Sequence, residues 1–402
     1  MFSPTPDRTL RIARLAVFTV FGLNGFLLAM WVVHIPSITD RTGVAKSTLG
    51  MFILLMAGSG IVGMRVAGPL ADRFGSRRLV GAAAVIASVA VLGPGSATGP
   101  MTLAIALCCF GFGNGALDVS MNTQAVHVER AYGRPIMSAF HALFSGGGLL
   151  GSLLGAATLR AGWDPRMTLA LAATGGVLLT AALVPRLLRD SETQPQPVPP
   201  DTGERIATGL DPGRAHRRKV LALAAIAFAV LLAEGVAGDW STLQMREHLG
   251  VDEATAALAF GAFSVTMTGG RLAADRVSGA FGRVVVVRYG TLLAALGFAV
   301  ITVSPWAPLS LLGWAMAGLG LSGTVPQIFT AAGNLGSATA ATDMARVFSL
   351  GYLGLLAGPA VIGWLSALVP LTATFLVPLA AMVACCVYAG AVAAPQAASE
   401  KR

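Results

Sequence analysis

Hydrophobic residues in this chain come in blocks of roughly 20, each long enough to cover about 30 Å as a helix, separated by short polar connections. The blocks centre near residues 22, 58, 87, 112, 149, 175, 230, 264, 293, 319, 355 and 382. The pattern predicts an all-α membrane protein with twelve transmembrane helices. It is interrupted once, after Arg189, where SETQPQPVPPDTGERIATGLDPGRAHRRK is rich in proline and charge and shows no apolar periodicity. That break reads as a flexible cytoplasmic linker over 190–218, joining a bundle of six helices in 1–189 to a second in 219–402. Its basic end, Arg217, Arg218 and Lys219, is expected to anchor the seventh helix at the inner surface.

The second half repeats the first at an offset of about 204. Gly43-Val44 recurs as Gly250-Val251, the run Gly68 to Arg73 as Gly270 to Arg276 with one added alanine, and Phe144-Ser145 as Phe348-Ser349. Two parallel repeats joined by a linker are the plan of a transporter whose substrate sits at the repeat interface.

Composition supports the membrane reading. Of 402 residues, 55% are hydrophobic and only 12% charged, and the mean hydropathy is +0.72. The formal charge of +9 does not mark a nucleic-acid surface, because the basic residues alternate between connections. With the N-terminus inside, Arg41, Lys46, Arg160, Arg166 and Arg246 lie on the outer side, and the other 23 of the 28 Lys and Arg lie inside. The excess of positive residues places both termini in the cytoplasm. The first block follows Arg8, Arg11 and Arg14 without a small-residue cleavage pattern and is expected to remain as the first helix. The cysteines form two adjacent pairs inside apolar blocks, Cys108-Cys109 and Cys385-Cys386, and read as small packing residues.

Polar residues inside the blocks are the functional candidates. In the fourth, Phe110 to Gln124 reads FGFGNGALDVSMNTQ, with Asn114, Asp118 and Asn122 at intervals of four. On a helix these stack along one side, drifting by about 40° per step. A carboxylate in hydrocarbon is costly, which makes Asp118 a candidate proton carrier; the competing reading is a structural hydrogen-bond cluster near the cytoplasmic end. Asn114, Asn122 and Gln124 supply amides for a polar substrate or for the acid. Glu234 in the seventh block, near mid-membrane, is the rival proton site. Trp240 could stack on a sugar face or serve as an interfacial anchor. Asn24 in the first block and Gln327, beside Pro326, complete the expected cavity lining. His34 is expected at a solvated outer end, His141 in a bond to the neighbouring loop, and Arg271 in cytoplasmic water.

The run Gly68-Pro69-Leu70-Ala71-Asp72-Arg73-Phe74-Gly75-Ser76-Arg77-Arg78 resembles the loop signature of the major facilitator superfamily, and the twelve-block plan extends the resemblance over the chain. LDVSMNTQA, SAFHALFSGGG and EGVAGDW are further similar to the MosC-like bacterial branch near fucose-permease-like sugar transporters. The resemblance implies that Gly68, Asp72, Arg73, Gly75, Arg77 and Arg78 hold the cytoplasmic ends of the bundles in alternative arrangements. Asp275 and Arg276 are the second copy, whose role is less defined because of the inserted alanine. It also implies alternating access by a monomer.

Gly111, Gly113 and Gly115 do not form a nucleotide fingerprint, since no strand precedes them, and the chain holds no G-x-x-x-x-G-K-[ST] phosphate loop. Small residues there permit close helix contact. Nor is there an H-E-x-x-H or G-x-S-x-G run, so no enzyme, metal or cofactor is expected. The expectation is proton-coupled symport of a small polar, sugar-like solute. A proton-antiport exporter of drugs or metabolites is the alternative, and a sensor or scaffold on the same fold a third.

Overall fold

The computed structural model describes residues 7–44, 46–189, 212–336 and 339–393, and these are helical with no strand. The helices are α1 (Arg8–Thr42), α2 (Lys46–Phe74), α3 (Ser76–Ala90), α4 (Leu92–Ser96), α5 (Pro100–Tyr132), α6 (Met137–Arg160) and α7 (Pro165–Leu183) in the first half. The second half forms α8 (Pro212–Leu249), α9 (Glu253–Phe281), α10 (Arg283–Val303), α11 (Ala307–Leu321), α12 (Thr324–Gly333), α13 (Ala340–Ser366), α14 (Leu371–Thr374) and α15 (Leu376–Tyr388). Every expected block lies within one of these helices, some crossings being divided, as α3 from α4 beside Pro94. Eleven stretches are long and apolar enough to cross a membrane. The remaining crossing, α9, carries Thr266, Thr268, Gly269, Gly270 and Arg271 in its middle, which lower its hydropathy. Residues 190–211 of the expected linker lie outside the described residues, and 212–218 form the first two turns of α8.

The chain divides into two compact units. Unit 1 comprises 1–134, 143–218 and 337–345; unit 2 comprises 135–142, 219–336 and 346–402. Three helices therefore change unit along their length: α6 after Ala142, α8 after Arg218 and α13 after Ala345.

In unit 1, α2 packs on α5, α5 on α3, and α1 on α5 and α7. The α2–α5 contact is backbone against backbone, as the glycine run implies. A Cβ at Gly111 would strike the carbonyl of Met56, and one at Gly115 that of Gly60. Ser59 closes the seam by donating to the Cys108 carbonyl at 2.7 Å. Unit 2 repeats the arrangement, with α9 on α11, α11 on α10 and α10 on α15. In each unit the large apolar side chains lie between the helices, among them Phe21, Trp31 and Phe110 in unit 1 and Phe298, Trp314 and Phe375 in unit 2.

Candidate functional site

Close α5 packing fixes where its polar residues point. Asn114 Nδ2 donates to Asn24 Oδ1 at 2.8 Å, joining α5 to α1. Asn24 is buried and turns its own Nδ2 to Met121 Sδ at 3.8 Å. Two turns along, Asn122 Nδ2 donates to the Asp118 backbone carbonyl at 2.9 Å and to Asp118 Oδ1 at 3.2 Å. Asp118 is 6% exposed and Asn122 fully enclosed. The stripe is thus divided: Asn114 serves α1, while Asn122 holds the carboxylate on its own helix, giving it a hydrogen bond that offsets part of its desolvation.

Gln124 and Gln327 leave the expected cavity lining. Gln124 Nε2 donates to Ser76 Oγ at 2.9 Å and to the Leu188 carbonyl at 3.0 Å. Gln327 Oε1 accepts from Ser278 Oγ at 2.8 Å. Both glutamines are buried. Gln124 ties the fourth crossing to the start of the third, and Gln327 ties its counterpart in the second half to the end of the second, while Gln124 Oε1 and Gln327 Nε2 are buried with no hydrogen-bond partner among the described residues.

His34 is also enclosed, contrary to the solvated position expected. Its Nδ1 donates to the Met30 carbonyl at 2.7 Å and its ring lies against Gly155, whose missing side chain makes the room.

In unit 2, Glu234 of α8 pairs with Arg271 of α9, Oε1 to Nη2, at 3.4 Å. The side chains are 24% and 17% exposed, so Arg271 does not sit in cytoplasmic water as expected. A guanidinium in mid-helix finds compensation in the acid on the neighbouring helix. His141 lies in the first turns of α6; its ring is 6.0 Å from that of Phe329, which in turn stacks on Phe348 at 3.6 Å. Trp240 donates its indole N–H to the Pro359 carbonyl at 3.2 Å and lies over Gly363, so α13 holds it on one side.

The signature run is mostly helix. Residues 68–74 end α2, Gly75 is the turn with φ 88°, and Arg77 and Arg78 belong to α3. Gly282, with φ 84°, makes the equivalent turn in the second half. Such values favour glycine. Gly68 serves close packing and not the turn, because a Cβ there would meet Ala345 Cβ at 2.7 Å.

The acids of both copies grip backbone amides. Asp72 accepts from Ala341 N and Thr342 N, each at 2.9 Å, and from the Thr342 hydroxyl at 2.5 Å, at the start of α13. Asp275 accepts from Ser138 N at 2.9 Å and Ala139 N at 2.8 Å, at the start of α6. A carboxylate at a helix start meets unpaired N–H groups and the positive end of the helix dipole. The signature arginines play a lesser part: among the described residues Arg73 stacks on Phe74, and no ion pair joins Arg73, Arg77, Arg78 or Arg276 to an acid. Beside the Asp72 contact, His216 Nε2 meets the buried Asp343 Oδ2 at 2.7 Å. Sequence reasoning missed the serine partners, the Glu234–Arg271 pair and His216–Asp343.

The Major Facilitator Superfamily profile matches residues 15–243 and 223–402. The chain is 32% identical over 355 residues to an uncharacterized MFS-type transporter of Yersinia pestis, covering 88% of this chain and 89% of that one. It is 30% identical over 383 residues to the membrane protein MosC of Rhizobium meliloti, covering 94% and 90%. Its fold is similar to that of the transporter FucP in the outward conformation, with a TM-score of 0.76 at 14% identity over 96% of this chain and 100% of that one. The human organic anion transporter MFSD10 follows at 0.73 and 16% identity, with the same coverage. The family match and these relatives make the chain a multi-pass secondary transporter and not an enzyme. It belongs to the major facilitator superfamily.

Proposed function

We propose that the protein is a proton-coupled symporter of a small polar, sugar-like solute, working as a monomer in the bacterial inner membrane with both termini cytoplasmic. The observation that carries the reading is the amide pair Asn24–Asn114 beside Asp118–Asn122, a set of hydrogen-bonding groups inside otherwise apolar helices. Amides recognise hydroxyls without needing a charge, and a buried acid can trade a proton as its surroundings change. One protein of similar fold is a fucose:proton symporter, which supports this choice of solute class. In this reading Asp118 and Glu234 are the proton carriers, Asn24, Asn114 and Asn122 contact the solute, and Trp240 offers its ring face. Asp72 and Asp275 hold the helix starts that are released as access alternates, with Gly68, Gly75, Arg73, Arg77, Arg78 and Arg276 shaping those turns.

The test uses purified protein in right-side-out proteoliposomes. A thermal-shift screen of sugars, polyols, organic acids and drugs identifies the solute, because a ligand that binds only the native state raises its stability. Adding that solute outside should then alkalinise the medium. A drug or metabolite exporter working by proton antiport would not do so, and a sensor would show no counterflow. Unchanged proton-driven uptake in the Asp118→Asn/Glu234→Gln double variant overturns the coupling.

A further inference from the structure

Unit 2 carries a groove of about 540 Å³ on its surface, between α8, α10 and α15. Ala222, Ala225 and Ala229 wall it on α8, and Ala381 and Ala384 on α15; it ends at the 3-10 turn Ala389–Val392 that follows α15. The ten steps from Ala381 to Ala391 measure about 15 Å, the depth of one leaflet of a hydrocarbon core of about 30 Å. Val387 and Tyr388 on the rim are 66% and 69% exposed, so the groove opens outward from an apolar segment.

One cation stands in this apolar wall. Arg288 lies five residues inside α10, about 7.5 Å along its axis. Neither α10 nor α15 carries an acid, and the first acid of α8 is Glu234, five residues beyond Ala229. Among the described residues no carboxylate pairs with Arg288. Lys219 Nζ donates to the Ala393 carbonyl at 3.1 Å, and positions 219, 222, 226 and 229 share one face of α8, so an ammonium stands at the same end of the groove. The cation is a departure from the repeat. The turns at Gly75 and Gly282 are equivalent, and six residues after them stand Gly81 and Arg288. In unit 1 Val184 fills that place, with its Cγ2 2.9 Å from where a Cβ on Gly81 would be. The larger groove of unit 1, about 1160 Å³ between α1, α6 and α7, has no charged residue on its wall among the described residues.

We infer that the unit 2 groove is a binding site for an anionic phospholipid, with one acyl chain along α8 and α15, Arg288 donating to the phosphate and Lys219 beside the headgroup. A cation in an apolar wall is costly without a counter-charge, and no side chain around the groove supplies one. The guanidinium fork matches two phosphate oxygens at once, and basic pockets between helices at the cytoplasmic side favour such headgroups. The lipid comes from the leaflet at the start of α8, the cytoplasmic one in the orientation proposed above. Bound there, it links α10 to the start of α8 and the end of α15. A free phosphate would use Arg288 and leave the groove empty. The inference is independent of proton coupling and of the solute.

Native mass spectrometry of the full-length protein, titrated with dioleoylphosphatidylglycerol, counts the bound lipids, and dioleoylphosphatidylcholine is the neutral probe. The first phosphatidylglycerol should bind about tenfold more tightly than phosphatidylcholine, and Arg288→Gln should abolish the preference, the factor expected of one hydrogen bond to a charged group. Arg288→Lys should keep part of it. Arg8→Gln removes an exposed cation from the start of α1 and should change nothing. Ala225→Leu with Ala384→Leu, two exposed positions, fills the groove without altering charge and should weaken phosphatidylglycerol about tenfold at an unchanged unfolding midpoint. Inorganic phosphate should not displace the lipid. No preference for phosphatidylglycerol in the parent, a preference that survives Arg288→Gln, equal loss in Arg8→Gln, unchanged binding in the alanine double variant, or displacement by inorganic phosphate each overturns the inference.

Discussion

Asp275 accepts the backbone N–H of Ser138 at 2.9 Å, and in the other repeat Asp72 accepts that of Ala341 at the same distance. Asp72 lies two residues before the end of α2 and Asp275 six before the end of α9, and each reaches the first amides of a fifth crossing. The contact needs the charge, since an amide side chain offers one accepting oxygen where the carboxylate offers two. Asp72→Asn and Asp275→Asn are each expected to lower stability by about 1 to 3 kcal/mol, the range for hydrogen bonds to a charged group. Thermal unfolding in detergent measures this. Asp72→Glu should be no substitute, because the added methylene moves the oxygens off the two amides.

The glutamine–serine pairs allow a test of one hydrogen bond in each half. Ser76→Ala with Gln124→Ala, and Ser278→Ala with Gln327→Ala, form two double-mutant cycles. Each should return a coupling energy of about 0.5 to 1.5 kcal/mol, the net worth of one buried neutral hydrogen bond. Gln124→Ala alone should cost more than Gln327→Ala, because the same amide also bonds the Leu188 carbonyl, a loss that cancels in the cycle. Cycles that show no coupling would mean that the serines merely sit close.

These pairs also show what could be read in the chain before its fold was known. Helix count, repeat and signature follow from hydropathy and spacing, because a lipid solvent demands long apolar helices whatever their partners. Partners do not follow, because they depend on rotation about each helix axis. Gln124 and Asn122 are two positions apart, yet one reaches Ser76 and the other its own helix. Arg271 is expected in water because it begins the second loop in the sequence pattern; only the approach of α8 to α9 reveals Glu234 as its partner.

Packing through glycine gives a sharp contrast between two consecutive membrane segments, α5 and α6. Gly115→Ala would drive a methyl into the Gly60 carbonyl, whereas Gly146→Ala meets nothing within 4 Å. The first should cost about 1 to 3 kcal/mol, as overpacked cores do, and the second should be neutral or slightly stabilising in its helix. Midpoints of unfolding for the two variants, measured side by side, check the difference.

Arg41 closes the end of the third crossing. Its guanidinium donates to the carbonyls of Ala97 at 3.2 Å, Pro94 at 3.1 Å and Gly95 at 2.5 Å, at the end of α4, where the Pro94 carbonyl also accepts the Ala97 N–H at 3.4 Å. Lysine keeps the charge but lacks the planar fork that reaches three oxygens at once. Arg41→Lys is expected to lose about 1 kcal/mol, and Arg41→Ala more, with transport at saturating solute little changed. A large effect of Arg41→Lys on transport at unchanged stability would place Arg41 in the transport cycle instead.

Asp118 can be separated from a purely structural acid by one isosteric change. Asp118→Asn keeps the side-chain volume and an oxygen for Asn122 to donate to, so the clasp at 3.2 Å can persist while the ionisable proton is gone. If Asp118 only braces α5, the variant should fold, bind solute and carry out proton-driven uptake like the parent. If it carries the proton, uptake against a solute gradient should fall at least tenfold. Counterflow, which needs no net proton movement, should stay within about twofold, and stability within about 1 kcal/mol. The two assays on one preparation decide between the roles, because bracing would affect neither and loss of the fold would abolish both.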